Sequence, residues 1–281
     1  MMLHVYFKNK LLLMSYNCCK KKFLHYIMRN DNRVIIFDLD ETLGYFVELG
    51  IFIDCLEEYY NKKIEKEEFL KILDLYPEFI RPYMLSILKY ISIKKEEKKC
   101  YKVMIYTNNQ GEKSWVENIK NYFEYKLNNK LFDKIIAAFK VDGKRIELNR
   151  TSHNKSVDDL FRCVKLPKNV KICFIDDQYH EQMVDDQVFY IKVEPYLYPI
   201  DFNDMIKRYI NSYELIDENF IKEMNNLYKK YNYRVVKKDD EEYKVDKIVS
   251  KKLFSHVKKF INDNNRKTYK RRINKNKTIR H

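Results

Sequence analysis

Two aspartates one residue apart, Asp38 and Asp40, follow the apolar run Val34–Phe37, and Thr42 stands two places further on. Alternation along an extended chain puts Asp38 and Asp40 on the same side. The first can attack an electrophile, and the second, one pleat further, can exchange a proton with a leaving group. Two other apolar runs also end in polar groups. Val103–Tyr106 leads into Thr107, Asn108 and Asn109, and Ile172–Ile175 leads into Asp176 and Asp177. In an open parallel sheet, ligands bind outside the carboxyl ends of the strands, so these three sets would share one rim. Carboxylates crowded in this way cannot all stay ionised without a cation. Oxygen donors with no accompanying His or Cys set favour Mg²⁺.

Phosphoryl transfer suits this division of labour, because its catalysis is mainly positioning and neutralisation of charge. Thr107 offers a hydroxyl and a backbone N–H to the equatorial oxygens of a phosphate. A lysine is still needed. Lys140, Lys144 and Lys155 all lie in the linker before the third strand, and Lys155 is preferred because it immediately precedes a helical segment.

The elements that must position these residues follow from the hydrophobic pattern. The short continuous runs read as buried parallel strands, with a fourth at Val188–Val193. Between them the period becomes helical. Phe79–Ile93 carries Tyr83, Ile87 and Tyr90; the segment after the second strand carries Trp115, Ile119, Tyr122 and Phe123; and the segment before the third carries Val157, Leu160, Phe161 and Val164. The expected class is therefore α/β, a Rossmann-like doubly wound parallel sheet over residues 34–198. Residues 45–75 break the alternation and are expected to form a small insertion, with a β-flap at Tyr45–Ile53 and a charged helix over Leu56–Leu73. Beyond Pro199 the chain reads as a helical extension over 199–249, with Asp201 capping Phe202–Tyr213 and a further helix around Phe220 to Tyr231. Lys237–Glu242 reads as a solvated connection. The tail 250–281 has an apolar stripe (Leu253, Val257, Phe260, Ile261), and disorder is expected past Asn264.

The ordered set Asp-x-Asp-x-Thr, apolar-Thr-Asn, Lys and apolar-Asp-Asp resembles the four motifs of the haloacid dehalogenase superfamily. Asp38-Leu39-Asp40-Glu41-Thr42-Leu43 is similar to the opening motif of the phosphatases that act on the RNA polymerase II C-terminal domain and of their small relatives, the NLI-interacting-factor-like group. The resemblance covers about residues 34–195. It implies a nucleophilic Asp38 that forms an aspartyl-phosphate, and an acid/base Asp40 whose backbone carbonyl also ligates Mg²⁺. Thr107, Asn108 and Lys155 would hold the phosphate, and Asp176 and Asp177 would complete the metal site with Asp38. One departure is Thr107-Asn108, since the polymerase-tail enzymes usually have a small residue after the Thr and Thr-Asn is more typical of small-molecule members. Arg81-Pro82 does resemble a feature of the tail-phosphatase group, although Pro at a helix start accounts for it equally well.

The net charge of +14 is unevenly spread. From Ser250 to His281 there are twelve Lys/Arg against one acid, and the basic extension 1–33 has seven against one, which leaves the body at −3. Such ends suit polyanions, but only four Gly amid abundant Lys, Asn, Ile and Tyr equally suits AT-biased coding. The expected substrate is a phosphoprotein. Phosphorylated nucleic-acid ends or nucleotides are the alternative, and a non-catalytic binding module on the same fold is a third reading. Six cysteines show no paired spacing, so reduced core thiols are expected. No run is long enough for a membrane span and no cleavable leader follows Leu11–Met14, which points to an intracellular protein, cytoplasmic or nuclear. His180 at the rim reads as incidental, His153 is ambiguous, and Trp115, Tyr122 and Phe123 read as core.

Overall fold

The computed structural model describes residues 32–215, 218–235 and 238–263. The expectations for the first 31 residues, including Cys18 and Cys19, and for the tail beyond 263 lie outside them. A five-stranded, all-parallel sheet forms the centre: β1 (Arg33–Phe37), β2 (Lys102–Tyr106), β3 (Lys134–Ile136), β6 (Lys171–Asp176) and β7 (Val188–Lys192), in the order β3-β2-β1-β6-β7. A small antiparallel ribbon, β4 (Lys140–Val141) with β5 (Lys144–Arg145), stands apart. The chain runs outward from β1 to β3, then returns to the other side of β1 as β6. The strand order therefore reverses between β1 and β6, which is where open α/β sheets place their crevice.

Strand alternation sorts the side chains onto two faces. Ile35, Phe37, Val103, Ile105, Cys173 and Ile175 join one large core. Val34, Ile36, Met104, Tyr106, Ile172 and Phe174 join a smaller one. The four described cysteines are unpaired and buried. Eight α-helices lie among the described residues: α1 (Val47–Tyr60), α2 (Lys66–Asp74), α3 (Met84–Glu96), α4 (Lys113–Leu127), α5 (Val157–Cys163), α6 (Phe202–Tyr213), α7 (Glu218–Lys229) and α8 (Asp240–Asn262). Among the described helices, only α5 covers the smaller core, through Leu160 and Cys163. Among the described residues the winding is lopsided, with the remaining helices gathered over the large core.

The β-flap expected at Tyr45–Ile53 is helical from Val47 onward. Val47, Ile51, Ile53 and Gly50 suggest extended chain, but Leu49, Phe52, Ile53 and Leu56 are all buried at helical spacing, and tertiary burial overrides local propensity. What remains extended is a short contact at the start of the insertion, where Gly44 bridges Ile80 and the N–H of Tyr45 donates to Phe79 O at 2.8 Å. Gly44 is obligatory there, because a Cβ would lie 2.4 Å from that same carbonyl oxygen.

The C-terminal helices are not an appendage. Phe202 stacks on Tyr228 at 4.1 Å and meets Phe52 of α1 edge-on at 5.7 Å, while Phe220 meets Tyr59 at 5.0 Å. Asp201 caps α6 as expected, accepting from the N–H of Asn203 at 2.9 Å. The expected boundary at 249/250 falls inside α8. In place of a solvated connection, Asp239 and Glu242 form a capping box that starts this helix. Leu253, Val257, Phe260 and Ile261 are buried as the stripe implied, and Phe260 stacks on Phe189 of β7 at 5.9 Å.

Candidate active site

β1 and β6 are hydrogen-bonded neighbours, with Phe37 in register with Ile175, so the residues that follow them emerge side by side. The N–H of Asp38 donates to Ile175 O at 2.8 Å, extending the ladder one residue past β1. Asp38, Asp176 and Asp177 are all buried, and each offers an oxygen to a cluster whose atoms lie within 4.8 Å of one another. Lys155, 2 % exposed, reaches into this cluster from the residue before the Ser156 cap of α5. Its Nζ donates to Asp38 Oδ1, and to Asp176 Oδ2 at 2.7 Å. Of the three candidate lysines, Lys140 and Lys144 stand on the β4–β5 ribbon, and only Lys155 meets the carboxylates.

Burial pushes the Asp38 carboxyl up to about 8; the charge of Lys155 resists that rise, and Asp176 and Asp40 add to it. Burial also presses on Asp176, but the hydrogen bond from His180 and the charge of Lys155 hold it below the usual carboxylate range. Lys155 loses stability as an ammonium through burial, yet Asp38 and Asp176 more than restore it and its pKa lies above the ordinary value. Asp177 is raised by burial and then by Asp176. With all three carboxylates ionised, the one ammonium would leave two negative charges at this buried site, which is the imbalance that raises Asp38 and Asp177 and that a bound cation would offset. Hard, anionic oxygen donors with that surplus fit a divalent cation of the Mg²⁺ type.

Asp40 stands outside the cluster. Its Oδ2 accepts from Asn109 Nδ2 at 2.8 Å, and burial raises its pKa, partly offset by that hydrogen bond. The turn beyond it is tightly held. Glu41 takes a left-handed conformation (φ 57°), and Arg81 donates to Glu41 O at 2.5 Å, Thr42 O at 2.6 Å and Glu194 O at 2.8 Å. Thr42 locks the two strand ends together, since its Oγ1 accepts from the N–H of Asp177 at 3.0 Å and donates to Asp177 Oδ1 at 3.2 Å.

Thr107 is buried at the end of β2, but its backbone N–H donates to Ile136 O at 3.0 Å and extends the β2–β3 pairing. It is not free for a ligand, contrary to expectation. The Thr107 Oγ1 accepts from the N–H of Asn109 at 2.9 Å, which leaves the hydroxyl proton to be donated elsewhere. The side-chain oxygen of Asn108 is engaged by Arg150 at 2.7 Å.

Arg150 is the residue that sequence reasoning passed over. Fully buried, its guanidinium donates to Thr107 O (3.0 Å), Ala137 O (2.8 Å), Asn108 Oδ1 and His153 O (2.9 Å), and it lies over the Tyr106 ring at 4.9 Å. It thus ties the segment after β2 to the segment that delivers Lys155. An isolated arginine in a loop carries no signal of this, because its four acceptors are scattered over 46 positions of sequence. His180, read as incidental, stands 3.3 Å from Asp176 Oδ2. Tyr122 and Phe123 are core, but Trp115 is only partly buried and lines a cleft beside Asp40.

The fold and site together define a class: an α/β protein with a buried carboxylate–lysine cluster at the reversal point of a parallel sheet. No protein-family model, curated protein or solved structure matches the chain. The functional reading therefore rests on the residues themselves. No helix of the described residues is long and apolar enough to cross a membrane.

Proposed function

We propose that this chain is a Mg²⁺-dependent phosphomonoester hydrolase of the haloacid dehalogenase type, working through an aspartyl-phosphate on Asp38, with a phosphoprotein as substrate. The observation that carries the proposal is the buried cluster of Asp38, Asp176 and Asp177 around Lys155 at the strand-order reversal. An Oδ of Asp38 attacks phosphorus as the bond to the leaving oxygen breaks, and Asp40 gives that oxygen a proton. Burial favours the protonated form of Asp40 needed for that step. Water then attacks the phosphorus of the acyl phosphate while Asp40 takes its proton, which releases inorganic phosphate and restores Asp38. Lys155 and the hydroxyl of Thr107 face the charge that builds on the equatorial oxygens. Asp38, Asp176, Asp177 and the backbone carbonyl of Asp40 would hold Mg²⁺, which supplies charge neutralisation for the phosphoryl oxygens when bound. The test is hydrolysis of a generic aryl phosphate by purified protein with and without Mg²⁺. Turnover that needs Mg²⁺ and disappears in Asp38→Asn supports the proposal. No turnover, or turnover unchanged in that variant, refutes it.

A further inference from the structure

Asp40 lies at the border of a cleft of about 700 Å³ between α1, the α1–α2 turn and the start of α4. That size is within the range of pockets that enclose an organic ligand. If Asp40 protonates the leaving group, the leaving group must lie on this side, so the cleft shapes the part of the substrate that carries the phosphate. This step rests on the proposed hydrolase reading.

The walls and rim of the cleft differ in chemistry. Phe46, Ile51, Ile64 and Trp115 line it, and Trp115 is fixed edge-on against Phe69 at 5.5 Å. The rim carries Asp54 and Glu57 from α1 and Glu112 from the start of the α4 segment, and Lys63 is the one cation among the described lining side chains. Lys63 Nζ pairs with Glu57 at 2.8 Å and with Glu112 at 3.3 Å, bridging carboxylates from separate elements. One ammonium can therefore satisfy both, and the lysine that does so is itself 70 % exposed and can swing away. Asp54 is held by the hydroxyl of Tyr231 at 3.2 Å. Among the described lining side chains, these three carboxylates against one ammonium leave a surplus of two negative charges over apolar walls. A polynucleotide would be repelled here, whereas a lysine or arginine with a long aliphatic stem would bury its stem and pair its head.

We infer that this cleft selects phosphopeptides carrying a Lys or Arg, with an apolar neighbour, beside the phosphorylated residue. Rim pairs of this exposure contribute modestly, so the expected preference is about tenfold in kcat/KM for a basic peptide over its alanine counterpart, and it shrinks with added salt. The experiment uses the full chain with Mg²⁺ and three matched phosphopeptides that differ only in Lys, Ala or Glu beside the phosphoresidue. A 3′-phosphorylated oligonucleotide and an aryl phosphate run in parallel. Binding of the same fluorescent peptides to Asp38→Asn, measured by polarisation, gives a readout that needs no turnover. The order Lys over Ala over Glu supports the inference, as does its collapse to within about twofold in Glu57→Gln/Glu112→Gln and its increase in Lys63→Ala. Equal treatment of the three peptides, an order unchanged in the double variant, or faster turnover of the oligonucleotide overturns it. If the aryl phosphate is not hydrolysed but the peptides bind in the expected order, the hydrolase reading fails and the cleft assignment stands.

Discussion

Replacing Asp38 by Asn keeps the side-chain volume and removes the attacking oxygen. The expected fall in kcat is at least about a thousandfold, of the size seen when a catalytic nucleophile is removed. Folding should not suffer. Burial and two neighbouring carboxylates work against the charged form of Asp38, so the metal-free variant should melt no lower than the parent in a calorimetric scan. Asp40→Asn makes a sharper distinction. Loss of the proton donor should slow alkyl phosphates far more than activated aryl phosphates, whose leaving groups need no proton. Arg150 acts through others: Arg150→Lys keeps the charge but loses the fork that holds four acceptors. The expected result is about a tenfold loss carried mostly by kcat with little change in KM, since what slips is alignment rather than affinity. A variant that lost activity only by unfolding would instead show a lowered melting point with normal kinetics for the folded fraction.

At the scale of elements, the site depends on how β1 and β6 are joined and on what docks behind the insertion. Because Asp38 and Asp176–Asp177 come from adjacent strand ends, a bound divalent cation would cross-link them. Saturating Mg²⁺, at about a hundred times Kd, should add about 2.7 kcal/mol to the unfolding free energy, and Asp176→Asn/Asp177→Asn should abolish the increment. The insertion has its own pH response. Glu48 of α1 is buried with Tyr45 and with Tyr233 from beyond α7; the two tyrosine hydroxyls lie 2.6 Å apart, and that of Tyr233 is 3.3 Å from Glu48 Oε1. Burial raises the Glu48 carboxyl to about 7, the tyrosine hydrogen bonds only partly resisting. The folded state therefore holds a proton that the unfolded state releases, and its stabilising effect is complete below the ordinary carboxylate range. It is lost as pH rises through about 7. Between pH 5 and 8 the parent should lose about 2 kcal/mol relative to Glu48→Gln, a figure discounted for residual solvent around the group, as measured by urea unfolding at each pH.

For the whole molecule, the decisive feature is that α6, α7 and α8 complete the large core rather than extend from it. Phe202, Met205, Tyr209, Phe220 and Met224 are buried against the face that also holds Phe52 and Leu56 of α1. Tyr76 reaches across to Met205 O at 2.8 Å, and Lys238 and Asp246 form a part-buried pair at 2.5 Å, with the Asp246 charge acting on Arg81. A chain ended after residue 198, where the motif-bearing region stops, would expose this apolar face. It should aggregate or lose its cooperative thermal transition, and a soluble, fully active fragment of that length would contradict the packing seen here.

Much of this was legible in the chain. Short β-branched runs ending in Asp, Thr or Asp-Asp specify buried parallel strands with polar carboxyl ends, because continuous apolar runs fit only a sheet covered on both faces. Asp201 does cap its helix, since local pattern alone dictates that contact. Asp38, Asp176 and Asp177 stand at strand ends as their runs specify, and they meet because β1 and β6 pair. Other features needed the third dimension. Val47–Tyr60 is a helix because its buried positions pack on a core built partly from residues more than 150 places later, and no window of local sequence contains that information. The Thr107 N–H belongs to the sheet because β3 lies beside β2. Its place before a helix favours Lys155 over Lys140 and Lys144; its contact with the carboxylates is made by the fold, where α5 and the buried Arg150 hold its segment against the strand ends. Residue types and their order determined what chemistry the chain can attempt. Long-range packing decided which groups share a pocket, because contacts between distant residues form only when the whole core closes.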